Sequence, residues 1–272
     1  LEEAWDAAEL TLPFILPRNA THNQALPTPY QGVGARGINN LTAKLLLTLF
    51  PPNSPFFKFQ IDDFTLEELQ QQRAPVEEGL NSMERAVMDE IEGKAMRVPL
   101  NECIRHLLIT GNALLHADKN NAIRVFHLDQ YVVRRDPQGV VLEIVVKEQM
   151  SRELYKDLFN SAPPKETGTS ADGNEKELSL YTSVRRVGNK IKVRQEVNDK
   201  KIAGTDSEYP LDKNPWLALR YNAIDGEDYG RGFVEEYLGD LKTVEGLSKS
   251  IIEGTAAAAK VLFLVKPNGT TK

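Results

Sequence analysis

The chain has 272 residues, of which 41% are hydrophobic and 26% charged, and a formal net charge of −6. That is enough for one large or two medium folded domains with a real core. It lacks the basic excess of a protein that grips nucleic-acid phosphates, and no run of 18 apolar residues marks a membrane span.

The first third reads as helical. Residues 1–9 suggest a helix, followed by a proline-rich stretch from Pro13 to Pro29. From Ala35 to Phe50 the apolar residues Ile38, Leu41, Leu45 and Leu49 recur at helical spacing, and Pro51-Pro52 ends the run. Phe57, Phe59 and Ile61 then alternate with Lys58 and Gln60, the pattern of a short half-buried strand. Thr65 and Glu68 form a capping-box pattern. A longer helix follows, with Val76, Leu80, Met83, Val87 and Ile91 on one face. Another runs from about Leu100 to Thr110 and stops at Gly111-Asn112. The one cysteine, Cys103, lies on its apolar side; a lone cysteine excludes an internal disulfide, fits a reducing compartment and reads as inert core.

The middle reads as strands: "ALLHA", "IRVFHL", "YVVRR", "VVLEIVVKE", "LSLYTSVRRV", "KIKVRQEV" and "WLALRYN", with turns at Asp136-Pro137-Gln138-Gly139 and Gly188-Asn189. A short helix is expected near 151–159, and the polar segment 160–176 is expected to be a mobile surface loop. Helices followed by a largely antiparallel sheet make the fold class α+β. From Gly232 to about Ala259 no proline interrupts a helical pattern that would extend roughly 40 Å. Gly246, Ser250, Gly254 and Ala258 follow one another at intervals of four, a stripe of small side chains that would let another helix approach closely. The chain opens at Leu1 without a Met and stops in "VKPNGTTK", which reads as a piece of a longer protein with no signal peptide.

Candidate chemistry is sparse. Gly32, Gly34 and Gly37 match G-x-G-x-x-G, but no hydrophobic strand precedes them and no second parallel strand with an acidic end follows, as a dinucleotide site requires. The glycines read instead as close backbone packing at a helix entry. Four histidines (His22, His106, His116, His127) are scattered; only His116 and His127 are expected to be neighbours, and no metal set is completed. Asp225, Glu227 and Asp228 in "DGEDYGRG" could suggest a cation site, but a solvated loop before a helix is the commoner outcome. No catalytic residues, cofactor or metal are therefore expected.

Three stretches together carry a resemblance: "PYQGVGARGINNLTAKLLLTLFPP", "CIRHLLITGNALLHAD" through "YVVRRDPQGVVLEIVVKEQ", and "IDGEDYGRGFVEEYLGDLKTVEGLS". In this order and spacing they resemble the portal proteins (head-to-tail connectors, or collar proteins) of short-tailed autographivirus-type bacteriophages. The similarity covers essentially the whole chain, as the N-terminal half of a family member. It implies a non-enzymatic subunit of a homo-oligomeric ring, a dodecamer, at the portal vertex of the virion, assembled in the host cytoplasm. Major capsid protein, terminase large subunit and tail adaptor proteins would be its partners. Double-stranded DNA would pass through its channel without being tightly bound. The implied organisation is a portal fold: a helical wing part (1–111), a β-rich wing part (112–224), a loop and long stem-type helix (225–259), and the start of a clip-type region (260–272). Arg231, Tyr237, Gly246, Ser250, Gly254 and Ala258 become subunit-interface candidates. The alternatives are a nucleotide-binding enzyme using the Gly32–Gly37 loop and a monomeric adaptor domain.

Overall fold

The computed structural model describes residues 1–18, 25–52, 54–61, 73–118, 120, 122–159, 161, 178–198 and 200–260. Helix α1 (Glu2–Glu9) is followed by α2 (Val33–Leu49), α3 (Arg73–Gly93) and α4 (Arg97–Thr110). Helix α2 stops where Pro51 removes the next donor. Helix α4 stops at Gly111, which takes the left-handed conformation at φ 74° and returns its amide to the Leu107 carbonyl.

Nine strands form two antiparallel sheets among the described residues, where the sequence suggests one. The smaller has the order β2-β1-β9, from β1 (Asn112–Ala117), β2 (Ile123–Phe126) and β9 (Trp216–Arg220). The larger is a meander of β3 (Tyr131–Arg135), β4 (Val141–Met150), β5 (Leu178–Val187), β6 (Lys190–Val197) and β7 (Lys200–Lys201), with β8 (Ser207–Pro210) also paired to β6. The two short strands β7 and β8 carry no period-2 pattern and escape sequence reading. The β3–β4 turn is held as its residues suggest: Asp136 Oδ1 accepts the Val140 amide at 2.8 Å, and the Gly139 amide donates to the Asp136 carbonyl at 2.9 Å. Helix α5 (Arg152–Phe159) covers one end of the larger sheet, with Tyr155 buried against Met150, Leu178, Leu180 and Val197.

One core joins the helices to both sheets. Ala7, Ala8, Leu12, Ile15 and Leu16 meet Ile104 and Leu108 of α4, Leu114 and Phe126 of the small sheet, and Ile144, Val146 and Val184 of the large one. Burying side chains of this size contributes about 1.5–3 kcal/mol each, so the N-terminal segment is an integral part of the fold. Cys103 lies on the other face of the small sheet with Ala113 and Leu115. Burial first, and the Glu102 charge second, push its thiol pKa up to about 12, consistent with an inert core residue.

Several expectations are corrected. Residues 57–61 form no strand; Phe50, Phe56, Phe57 and Phe59 instead run edge to face in a chain of rings 5.1–5.4 Å apart. Alternation there reflects ring packing rather than a pleat. On α3, Val76, Leu80 and Ile91 are half-buried, whereas Met83 is 61% exposed and Val87 is exposed. The helical run after Gly232 is broken: α6 (Phe233–Glu236) closes at Tyr237, whose amide bonds the Val234 carbonyl three residues back, and α7 (Leu238–Ala258) starts afresh. Helix α7, with 21 residues, is about 31 Å long rather than 40 Å. The capping-box helix near Thr65, the segment 160–176 except residue 161, and all of 260–272 except Lys260 lie outside the described residues.

Candidate functional site

The Tyr229-Gly230-Arg231 turn is the junction of the molecule. The Asn112 side chain pairs with Gly230 as a second peptide would: Nδ2 donates to the Gly230 carbonyl at 2.8 Å, and Oδ1 accepts the Gly230 amide at 2.7 Å. A Cβ at Gly230 would lie 2.9 Å from the Gly111 carbonyl oxygen, and one at Gly232 only 2.4 Å from that of Ile109. Glycine is required here because the end of α4 and the turn touch backbone to backbone. Asn222 and Arg231 complete the junction as an antiparallel bridge.

The acidic loop is fastened rather than poised for a cation. Asp228 Oδ1 accepts the Arg135 amide at 2.6 Å, while the Arg135 guanidinium donates to the carbonyls of Asp228, Gly139 and Ala218, each at 2.9 Å. Burial, then the nearby Arg220 charge, lower the Arg135 pKa, while the three carbonyls take one hydrogen bond from each guanidinium nitrogen. Tyr229 accepts the Val133 amide on its hydroxyl at 3.1 Å. Arg231 meets Glu227 at 3.2 Å, Glu235 at 2.8 Å, and Glu3 of α1. Glu227 and then Glu235 raise its pKa further. All three carboxylates belong to its own chain, and Asp225 is left at the surface.

Helix α7 leaves the body from this junction. Leu238 and Leu241 pack on the core. Lys242 pairs with Asp6 at 2.6 Å, holding the Asp6 carboxyl below its usual range, with help from Arg18 and against the cost of burial. Glu245 accepts the amides of Tyr30 and Gln31 at 2.9 and 3.3 Å. Past Lys249, every residue to Lys260 is exposed. Of the interface candidates on and beside this helix, Tyr237 is 47% exposed at the break, Ser250 returns its hydroxyl to the Gly246 carbonyl at 2.8 Å, and Gly246 and Gly254 face open space.

The four-residue stripe is only part of the pattern. Val244, Leu247, Ile251, Gly254 and Ala258 are spaced 3-4-3-4 and are all exposed, Leu247 by 60% and Ile251 by 67%. That is the spacing of an apolar seam along one side of the helix. The spacing is legible in the sequence, but the glycine stripe draws attention away from it. Gly254 and Ala258 belong to both patterns, whereas Gly246 lies about 100° round the helix from Leu247.

The G-x-G-x-x-G match separates into unlike parts. Gly32 caps α2, no strand precedes it among the described residues, and residues 25–32 are irregular. At Gly34 a Cβ would stand 2.6 Å from the Leu10 carbonyl oxygen, so close packing is its role. No neighbour comes within 4 Å of a Cβ at Gly37. Gln31 locks the approach, its Nε2 donating to Leu10 O at 2.7 Å and its Oε1 accepting the Gly34 amide at 3.0 Å.

The histidines are placed differently from expectation. His116 stacks on Trp216 with ring centroids 3.9 Å apart. The antiparallel register sets His116 opposite Arg124, so His127 falls near the other end of β1. There it meets His106, their centroids 4.9 Å apart, beside Glu102. His106 is fully buried and neither ring nitrogen has a hydrogen-bond partner, the 3.9 Å to Glu102 being too long for one. Leaving such atoms unpaired costs about 1–3 kcal/mol. Burial lowers the His106 pKa. Glu102 and His106, four apart on α4, could have been paired from sequence; His127 could not. His22 lies outside the described residues.

An apolar seam is left bare on the projecting helix. Over residues 1–272 the chain matches the family described as bacteriophage head to tail connecting protein, and it belongs to that family. It is 38% identical to the portal protein of Enterobacteria phage T3, over 99% of this chain and 52% of that protein. The portal protein of Escherichia phage T7 is 33% identical over 99% and 52%, and that of Pseudomonas phage phiKMV 30% identical over 97% and 53%. The chain spans about half the length of the curated relatives it matches. The family is structural rather than enzymatic, and among the described residues no helix is long and apolar enough to cross a membrane.

Proposed function

We propose that the chain is the N-terminal half of a portal subunit that closes into a homo-oligomeric ring, a dodecamer, at one capsid vertex of the virion. In this reading residues up to about 224 form the wing, α7 is a stem helix, and 260–272 lead toward the clip. The ring would hold the channel for DNA packaging and ejection, sit against the major capsid protein, and present docking surfaces to the terminase large subunit and the tail adaptor proteins. Assembly would take place in the host cytoplasm.

The observation that carries the reading is the bare 3-4-3-4 seam of α7, in a chain that matches the connector family from end to end. Each large apolar side chain of the seam gains about 1.5–3 kcal/mol on full burial. A neighbouring copy supplies a surface that can provide it at every position round a closed ring. The net charge of −6 suits a channel through which DNA slides, because tight phosphate contacts would act as brakes. Electron microscopy of the purified full-length protein tests the proposal. Rings with a central hole are expected; a monomer that persists at high protein concentration would overturn it.

A further inference from the structure

Helix α4 and the connection between β2 and β3 meet at a cluster apart from the α7 seam. We propose that Glu102, His106 and His127 form a site for one divalent transition-metal ion of the zinc class, which pins this connection to α4. Their ligand atoms all lie within 4.8 Å of one another. Ligands on a tetrahedral zinc, bonded at about 2.0–2.1 Å, stand about 3.4 Å apart. The set therefore has to contract by little more than an ångström. Glu102, whose side chain is 47% exposed and whose carboxylate stands 3.9 Å from His106 Nε2, has the rotamer freedom to move toward the imidazoles.

The two imidazoles are prepared in different ways. His127 faces the Ile15 carbonyl through Nδ1 at 2.8 Å. A carbonyl only accepts, so Nδ1 carries a proton and Nε2 is the nitrogen left to face a metal. This is the outer-sphere arrangement that orients metal-binding histidines. The backbone of His127 is fixed as well, its amide donating to Gln130 Oε1 at 3.0 Å. His106 has no solvent exposure and no partner on either nitrogen. Native proteins rarely bury a polar ring that way, and a bound ion supplies the missing partner.

A cavity of about 430 Å³, lined by Phe14, Ile15, Asn101 and Arg105 as well as Glu102 and His127, opens beside two of the three ligands. Asn101 Oδ1 and Arg105 Nε are also buried there without partners. Arg97, on the rim, is occupied by Glu92 and by the Pro51 carbonyl. Two imidazoles and a carboxylate suit zinc, and by the usual affinity order nickel and copper; magnesium and calcium require oxygen shells.

The full-length protein, stripped with a chelator, is titrated calorimetrically with zinc chloride and, separately, magnesium chloride. One zinc per chain and no magnesium are expected, with a zinc-dependent rise in melting temperature. Glu102→Gln and His127→Gln should each weaken zinc binding by more than about 100-fold, beyond the effect of losing an outer-sphere partner. Glu102 is at the surface, so Glu102→Gln should leave the circular dichroism and the zinc-free melting temperature unchanged. No zinc uptake, or uptake that Glu102→Gln leaves unaltered, would overturn the site. Neither result depends on whether rings form.

Discussion

At the scale of single residues, Asn112 has the most to lose. Its amide makes a two-way pair with Gly230 in a buried position, across 118 residues of chain. Asn112→Ala strands a buried carbonyl and a buried amide, each costing about 1–3 kcal/mol. A loss of about 2–4 kcal/mol in a denaturant melt is expected, with the circular-dichroism spectrum of the native state retained. His116 supports a prediction about pH. Burial first, and the Arg124 charge second, lower its pKa, so the folded protein resists protonation where the unfolded chain accepts it. The neutral ring's contribution is complete above its ordinary pKa of about 6.5 and is lost as pH falls below that value. Replacing His116 by Phe, which keeps a ring against Trp216, should flatten the decline in melting temperature between about pH 6.5 and 5. An unchanged slope would assign the decline to other groups.

At the scale of elements, α7 turns a sequence pattern into a test of assembly. Leu247→Asp with Ile251→Asp places two charges on the bare seam without touching the core. Burying each apolar side chain is worth about 1.5–3 kcal/mol, so the concentration needed for assembly should rise by at least about 100-fold. The wing should stay folded. Gly254→Leu, on the same seam and with open space around it, should also block rings. Gly246→Leu, about 100° away, should do so less. Sedimentation across a dilution series separates these outcomes, and equal effects from both glycine substitutions would favour the four-residue stripe over the heptad seam.

For the whole molecule, local signals were enough for most elements. Pro51 after α2, Gly111 after α4 and the Asp136–Gly139 turn each act through the backbone of a few neighbouring residues, and each lies where its chemistry demands. The seven patterned strands were readable because β-branched and aromatic residues cluster in them; β7 and β8 are too short to carry a period. What the sequence hid is long-range. Asn112 with Gly230, Glu245 with Tyr30, and His106 with His127 are set by how elements distant in the chain pack on one another. No spacing rule reaches across 118 or 215 residues. The family resemblance rested on motifs now found at the junction, where Tyr229, Gly230 and Arg231 bind the β3 strand, the end of α4 and α1.

The attachment of α7 has a mechanical consequence. Its free end is a lever arm, and its fulcrum is the pair of struts at Lys242 and Glu245. A sideways load on the tip travels from Lys242 to Asp6, and from Glu245 through Gln31 to the Leu10 carbonyl. Both routes end on α1 and its C-terminal turn, so torque on the projecting helix reaches the N-terminal segment through side chains, alongside the covalent path through the junction.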